Sequence, residues 1–226
     1  MRVLIAPDKF AGTLTAVEAA EAIATGWARH APDDELDLAP MADGGPGFVD
    51  VLHEALGGDL LAATVAGPYE QHVPATILRT GATAYVEAAQ ACGLHLTPEA
   101  DRRPEQATSR GVGDLVRLAI EAGATRVVVG LGGSATNDGG AGLLAALGAE
   151  AVPPDALAHG PSSLASLETV DLSRPRTLLR DVELVAATDV DNPLLGLTGA
   201  TSIFGPQKGV AEDRLQAVDA MLGRLA

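Results

Sequence analysis

The chain is poor in positive charge. Its 15 lysines and arginines face 30 aspartates and glutamates, for a formal net charge of −15 over 226 residues. A field of that sign repels phosphate backbones and excludes nucleic acid as a partner. If small anions are substrates, some of these carboxylates must hold a divalent cation that reverses the local sign. Aromatic residues are also scarce: Phe10, Phe48, Phe204, Tyr69, Tyr85 and Trp27 offer no stacking platform. The single cysteine, Cys92, cannot form an internal disulfide, so the expected compartment is reducing and cytoplasmic. Only His95 lies near it in sequence, and Cys92 is expected to be a buried packing residue rather than a nucleophile. No apolar run reaches the roughly 18 residues of a membrane span. "MRVLIAPDKF" meets Pro7 and Asp8 too early for a signal peptide, so no membrane partner is expected. His30, His53, His72, His95 and His159 lack metal-ligand spacing. Neither a G-x-x-x-x-G-K-[ST] loop nor a nucleophile elbow occurs.

What is present reads as an α/β protein. "RVLIA" is a short apolar run followed by the punctuated "PDKFAGT". Thr15 and Glu18 form a capping box ahead of Val17, Ala20, Ile23, Ala24 and Trp27 at helical spacing. "DELDLAP" reads as a strand, "PMADGGPG" as a loop, and "FVDVLHEALGG" as a helix stopped at Gly57. From Asp59 the rhythm changes to three strand-like runs, "DLLAATVAG", "HVPATILRT" and "TAYVEAAQ". A helix over 113–123 and the strand "RVVVGL" follow. Residues 150–182, rich in proline and serine, resist assignment. "VELVAAT" is a strand, 189–209 a loop, and a final helix runs from about Ala211. The pattern predicts two unlike α/β lobes: a Rossmann-like, mainly parallel sheet from 1–58 and 98–150, and a smaller mixed or antiparallel lobe from 59–97 and 151–226.

The densest local signal is "GLGGSATNDGGAG", residues 130–142. Glycine within regular structure costs roughly 0.5–1 kcal/mol relative to alanine, so this cluster needs a reason. Free N–H groups at a helix start make an anion site. Gly132 and Gly133 permit close approach, while Ser134, Thr136 and Asn137 add polar groups. Asp138 either caps the following helix or reaches a metal. A tight, well-capped turn explains the same residues. Gly130, Gly132 and Ala135 also approximate a dinucleotide fingerprint, with Glu150 as its ribose-binding acid. That leaves a nicotinamide-dependent oxidoreductase as an alternative.

Three further loops carry candidates. Asp189 and Asp191 in "TDVDNP" either share a hard cation such as Mg²⁺ or form an Asx-type turn. "FGPQKG" places Lys208 in a glycine-flanked loop, where a mobile ammonium meets a phosphate or simply faces solvent. "APDKFAGTLT" offers Asp8 and Lys9, and "PMADGGPG" offers Asp43, Gly44 and Gly45. In an open α/β sheet, loops after the strands lie along one edge, where ligands bind.

Together "IAPDKFAGTLTA", "PMADGGPG", "GLGGSATNDGGAGLLAALGA" and "ATDVDNPLLGLTGATSIFGPQKG" resemble the glycerate kinase family of the bacterial glycerate 2-kinase type. The resemblance implies two lobes with the site between them, and transfer of the ATP γ-phosphoryl group to D-glycerate with Mg²⁺. It implies phosphate contacts from the glycine-rich loops and Lys208. Asp189 or Asp191 would hold metal or take the hydroxyl proton. Phosphoryl transfer relies on positioning and charge neutralisation, which suits these residue types. The family often has lysine where Ala11 stands and glutamate where Pro46 stands. Its members also continue beyond the equivalent of residue 226, with late strands completing the first lobe's sheet. The resemblance thus covers the family's N-terminal portion, and a truncated form would leave a sheet edge or apolar face open to self-association or to a separate C-terminal half. A non-catalytic anion-binding remnant is the other alternative.

Overall fold

The computed structural model describes all 226 residues. Helix α1 (Ala16–His30) starts where the capping box predicts. The Glu18 amide donates to Thr15 Oγ1 at 3.1 Å, and the Thr15 amide donates to Glu18 Oε2 at 2.8 Å. It connects β1 (Arg2–Ile5) to β2 (Glu35–Leu38), which pair in parallel. Helix α2 (Phe48–Leu56) follows and ends at Gly57.

Strands β3 (Asp59–Ala66), β4 (His72–Thr80) and β5 (Thr83–Glu87) form an antiparallel meander. After α3 (Ala88–Cys92) and α4 (Arg110–Glu121), β6 (Arg126–Gly130) adds to β5 in parallel. Helix α5 (Ala141–Ala146) leads to the region that sequence left unassigned. There β7 (Glu150–Val152) pairs antiparallel with β8 (Thr169–Asp171), flanked by α6 (Pro161–Leu164) and α7 (Ser173–Leu178). Strand β9 (Glu183–Ala187) then joins β6 in parallel. The chain closes with α8 (Ala200–Lys208) and α9 (Leu215–Leu222).

The α/β architecture stands, but the strands sort differently from the expected lobes. Arg126–Gly130 does not extend a parallel sheet with residues 1–58. It lies between β5 and β9 in a five-stranded mixed sheet of order β3-β4-β5-β6-β9, while β1 and β2 pair only with each other. Pairing therefore crosses the boundaries expected at 97–98 and 150–151. Periodicity marks a strand but not its neighbour, because parallel partners are chosen by long crossovers.

The main core lies between this sheet and α4. Val65, Ile77, Val86, Val127 and Val129 pack with Leu115 and Val116. The apolar stripe of α4 is buried at Val112, Leu115, Val116 and Ala119, the helical spacing that sequence showed. Cys92 belongs to this core, and burial pushes its thiol up to about 12, which fits the expected packing role. A second cluster gathers Ala141, Ala156, Leu157, Leu164, Leu167 and Leu222. By contrast Leu4, Leu38 and Leu184, all on strands, are 68%, 44% and 41% exposed. No helix is long and apolar enough to cross a membrane.

Candidate functional site

Parallel pairing aligns three strand ends: Glu87 opposes Gly130, and Gly130 opposes Ala187. The segments after β6 and β9 therefore leave the same edge of the sheet. The Leu131 amide donates to the Ala187 carbonyl at 2.8 Å, which fixes the start of the glycine segment beside the start of the aspartate segment. The loop before α2 packs onto both. A Cβ on Gly44, whose φ is +90°, would lie 2.6 Å from the Ala187 carbonyl oxygen. A Cβ on Gly132 would lie 2.7 Å from Gly45 Cα. These two glycines are needed because backbone meets backbone. The opening loop joins through Lys9, whose Nζ donates to Asp43 Oδ1 at 3.0 Å and lies 3.5 Å from Asp8 Oδ1. All four expected segments thus converge.

The Lys9–Asp43 pair is tuned in opposite directions. Partial burial lowers the Lys9 ammonium, but the hydrogen bond and attraction to Asp43 prevail and hold it above its ordinary value. Burial alone would raise Asp43, yet the Gly45 amide and Lys9 keep it below the usual carboxylate range. A cavity of about 310 Å³ opens beside this pair, between Thr13, Glu18, Pro46 and Asp50.

Lys208 is not the mobile loop ammonium that the sequence suggested. It ends α8, capped by Gly209 at φ +96°, and its side chain is drawn inward. Its Nζ donates to Ser134 Oγ at 3.1 Å and to the Thr136 carbonyl. Burial pulls the ammonium below its usual value, against the attraction of Cys92 and Asp138. No carboxylate lies within ion-pair distance of it. The stretch read as a loop over 189–209 is helical in its second half because α8 packs on α9, a tertiary partner that local glycine and proline signals cannot report.

The glycine segment itself needs two corrections. Its following helix does not present free N–H groups to a ligand. Asp138, 2% exposed, accepts from the amides of Ser109, Gly140 and Gly142 and from Ser109 Oγ, at 2.8–3.1 Å. The Ser109 hydroxyl in turn accepts from the Leu143 amide at 3.0 Å. The open choice for Asp138 is thereby resolved as a cap that ties α4 to α5. Asn137, also buried, donates to Thr201 Oγ1 at 2.9 Å and anchors α8. Thr136 is buried as well, with its carbonyl on Lys208. These three support the segment, while Gly133 is exposed and Gly132 and Ser134 are half-buried, with Ser134 Oγ accepting from Lys208.

The dinucleotide reading fails on geometry. A fingerprint helix opens within the glycine turn, whereas α5 begins eleven residues after the end of β6 at Gly130. Glu150 sits on β7 in another sheet, 2.9 Å from Arg174.

Asp189 and Asp191 are exposed beyond the end of β9, and no cation or side-chain donor of the chain engages them. No group of three or more acidic, histidine or cysteine side chains gathers anywhere as a closed metal cage. Two free carboxylates suit Mg²⁺, which keeps several waters and is held by one or two carboxylates with substrate phosphates.

Sequence reading missed Glu87. At the end of β5, 3% exposed, it accepts from the amides of Gly47 and Val49 at 3.1 and 3.4 Å. It thus caps α2 from another element and steadies the loop carrying Asp43. The only signal was a lone carboxylate closing the apolar run "TAYVE". Burial raises its pKa, against the two amides and Gln90, with Asp50 adding repulsion. A carboxyl with a raised folded pKa binds more protons folded than unfolded, so stability falls as pH rises through that window. Glu87→Gln should remove this slope. In calorimetry, the stability advantage of the wild type over the variant should shrink as pH rises from about 4.5. A pH-independent difference would contradict the assignment.

The glycerate kinase family model matches residues 3–226. The chain is 44% identical to glycerate kinase of Bacillus subtilis (strain 168) over 230 residues, covering 100% of this chain and 60% of that protein. It is 42% identical to glycerate 2-kinase of Escherichia coli (strain K12), again over 100% of this chain and 60% of the relative. Among solved structures, the protein described as glycerate kinase 2 from Salmonella typhimurium LT2 superposes with a TM-score of 0.85 at 40% identity, over 100% of this chain and 62% of that one. The chain therefore spans about three fifths of the length of these relatives. With four converging motifs and a matching fold over its whole length, the chain belongs to the glycerate kinase family.

Proposed function

We propose that this chain carries the phosphoryl-transfer site of a glycerate kinase, moving the ATP γ-phosphoryl group to a hydroxyl of D-glycerate. The observation that carries the reading is the backbone-to-backbone junction of 43–46, 130–134 and the end of β9, flanked by two lysines and two free aspartates. Phosphoryl transfer asks for positioning and charge neutralisation, and the junction supplies both. Gly132, Gly133 and Ser134 let phosphate oxygens approach the backbone. Lys9 and Lys208 bring positive charge into a strongly acidic chain. Asp8 and Asp43 hold Lys9 in place. Asp189 and Asp191 would hold Mg²⁺, which supplies neutralisation of phosphate charge when bound. Where only one of the two holds the ion, the other accepts the proton of the attacking glycerate hydroxyl.

The exposed strand residues Leu4, Leu38 and Leu184 are apolar surface that further length of the family's fold would cover. Sedimentation should show this chain gaining mass when the C-terminal portion of a family relative is supplied in trans, and Leu4→Asp should weaken that gain. Self-association that Leu4→Asp abolishes would assign the surface around Leu4 to a second copy instead.

A coupled ADP-release assay with ATP, Mg²⁺ and D-glycerate, on chain shown folded by circular dichroism, tests the reading. Turnover is expected to fall roughly 10–100-fold or more on Asp189→Asn. A folded chain that neither releases ADP nor melts higher with Mg-ATP would refute a self-sufficient site.

A further inference from the structure

A polar cavity of about 430 Å³ lies away from the strand edge and shares no lining residue with the candidate site. Its walls are Tyr69 and Glu70 from the β3–β4 turn, Arg103, Gln106 and Thr108 from the segment before α4, and His159, Ser162 and Ser163 around the start of α6.

Arg103 is the residue that makes the cavity a candidate site. Its guanidinium stacks on Tyr69, with Cζ 4.6 Å from the ring centroid. The Tyr69 hydroxyl accepts from the Arg103 amide at 2.7 Å, so the ring is pinned by the backbone of the same residue whose side chain covers it. This cation–π contact holds the guanidinium over the ring without consuming its N–H groups. Arg103 enters none of the chain's ion pairs. Of the two carboxylates two positions away, Asp101 makes no ion pair with it, and Glu105 is taken bidentately by Arg214 at 2.8 and 2.7 Å. Arg79 and Arg224 also lack a carboxylate, but they spend their N–H groups on backbone carbonyls, whereas the Arg103 side chain is held by the ring alone.

The surroundings supply further donors. His159 Nδ1 lies 3.8 Å from Glu70 Oε1, and that carboxylate is the one negative group in the wall. Glu70 adopts φ +64°, the sole non-glycine residue of the chain in the left-handed region. Ser163 Oγ accepts from the His159 amide at 3.2 Å, which leaves its own hydrogen free to donate. The Gln106 amide adds two more neutral donors.

We propose that this cavity binds a small anion carrying a carboxylate or phosphoryl group, gripped bidentately by Arg103 with Gln106 and Ser163 as neutral donors. Planar, paired N–H groups match either oxyanion, and the shared chemistry does not choose between them.

The test uses the full chain with two probes, inorganic phosphate followed by ³¹P line width and D-glycerate followed by saturation-transfer NMR. At least one probe is expected to bind, and whichever binds identifies the source of the anion. Arg103→Gln should weaken that binding about tenfold or more. Arg103→Lys should weaken it too, because an ammonium neither stacks nor grips bidentately. Lys9→Gln, at the strand edge, should leave the Arg103-dependent binding unchanged. Arg103 is exposed, so circular dichroism of its variants should match wild type. Failure of both probes to bind would overturn the proposal. So would binding of the probes that Arg103→Gln leaves unweakened, whether or not Lys9→Gln abolishes it. Neither result depends on turnover, and the kinase reading is tested separately by the Asp189→Asn assay.

Discussion

Asp138→Ala is expected to lower stability by about 3–5 kcal/mol, the largest loss for any single polar side chain of this protein. Truncation strands the buried amides of Ser109 and Gly142, the Ser109 hydroxyl and the partly buried Gly140 amide, all of which donate to this carboxylate. Each unmet buried donor costs about 1–3 kcal/mol, and the four cannot all find water at a 2% exposed position. For a chain of this size, Tm should drop by roughly 6–20 °C. Asp138→Asn should lose less, since its oxygen still accepts while its NH₂ group faces donors. The readout also separates a cap from a metal ligand. A cap variant loses stability in the presence of chelator as much as in its absence. A ligand variant loses only what Mg²⁺ adds. A loss within about 0.5 kcal/mol of wild type would remove the cap assignment.

Gly44→Ala should open the junction on which the proposed site depends. Two penalties add at this residue. Its φ of +90° strains an alanine, and the new Cβ would stand 2.6 Å from the Ala187 carbonyl oxygen, a backbone atom that cannot step aside. A loss of about 2–4 kcal/mol follows, with the loop carrying Asp43 pushed away from β6 and β9. Gly47→Ala is the matched control, because φ there is +94° but nothing lies within 4 Å of a Cβ. It should cost only the conformational term, about 1 kcal/mol. The thermal shift induced by Mg-ATP should vanish in Gly44→Ala and persist in Gly47→Ala. Equal behaviour of the two variants would mean that close contact at Ala187 does not hold the site together.

These two residues also show why parts of the site were legible and parts were not. Gly44 and Gly132 stood out because glycine clustering after apolar runs demands a backbone explanation, and the structure supplies one. Lys9 and Asp43 were visible as charged residues in the right loops, yet their mutual contact spans 34 positions and has no local signature. Ser109 and Glu87 were invisible. Each acts on a glycine-rich loop from a different element, and a side chain that caps across the fold leaves no spacing rule behind. Asp138 was visible but ambiguous, because one residue type serves both capping and metal binding. Only its burial and four donors decide between them.

Sequence by itself determined the α/β class, the capping of α1, the end of α2 at Gly57, the apolar stripe of α4 and the inert burial of Cys92. Each of these follows from short-range physics: periodicity, local hydrogen bonds and the partition of apolar side chains. Tertiary structure alone decided that β6 lies between β5 and β9 rather than with β1. It also decided that Lys208 ends a helix with its ammonium turned onto Ser134 and Thr136, and that Arg103 lies over the Tyr69 ring without a carboxylate partner. Those outcomes depend on which distant segments meet. The free energy that selects them comes from burial and pairing across the whole sheet, which no local window of residues contains.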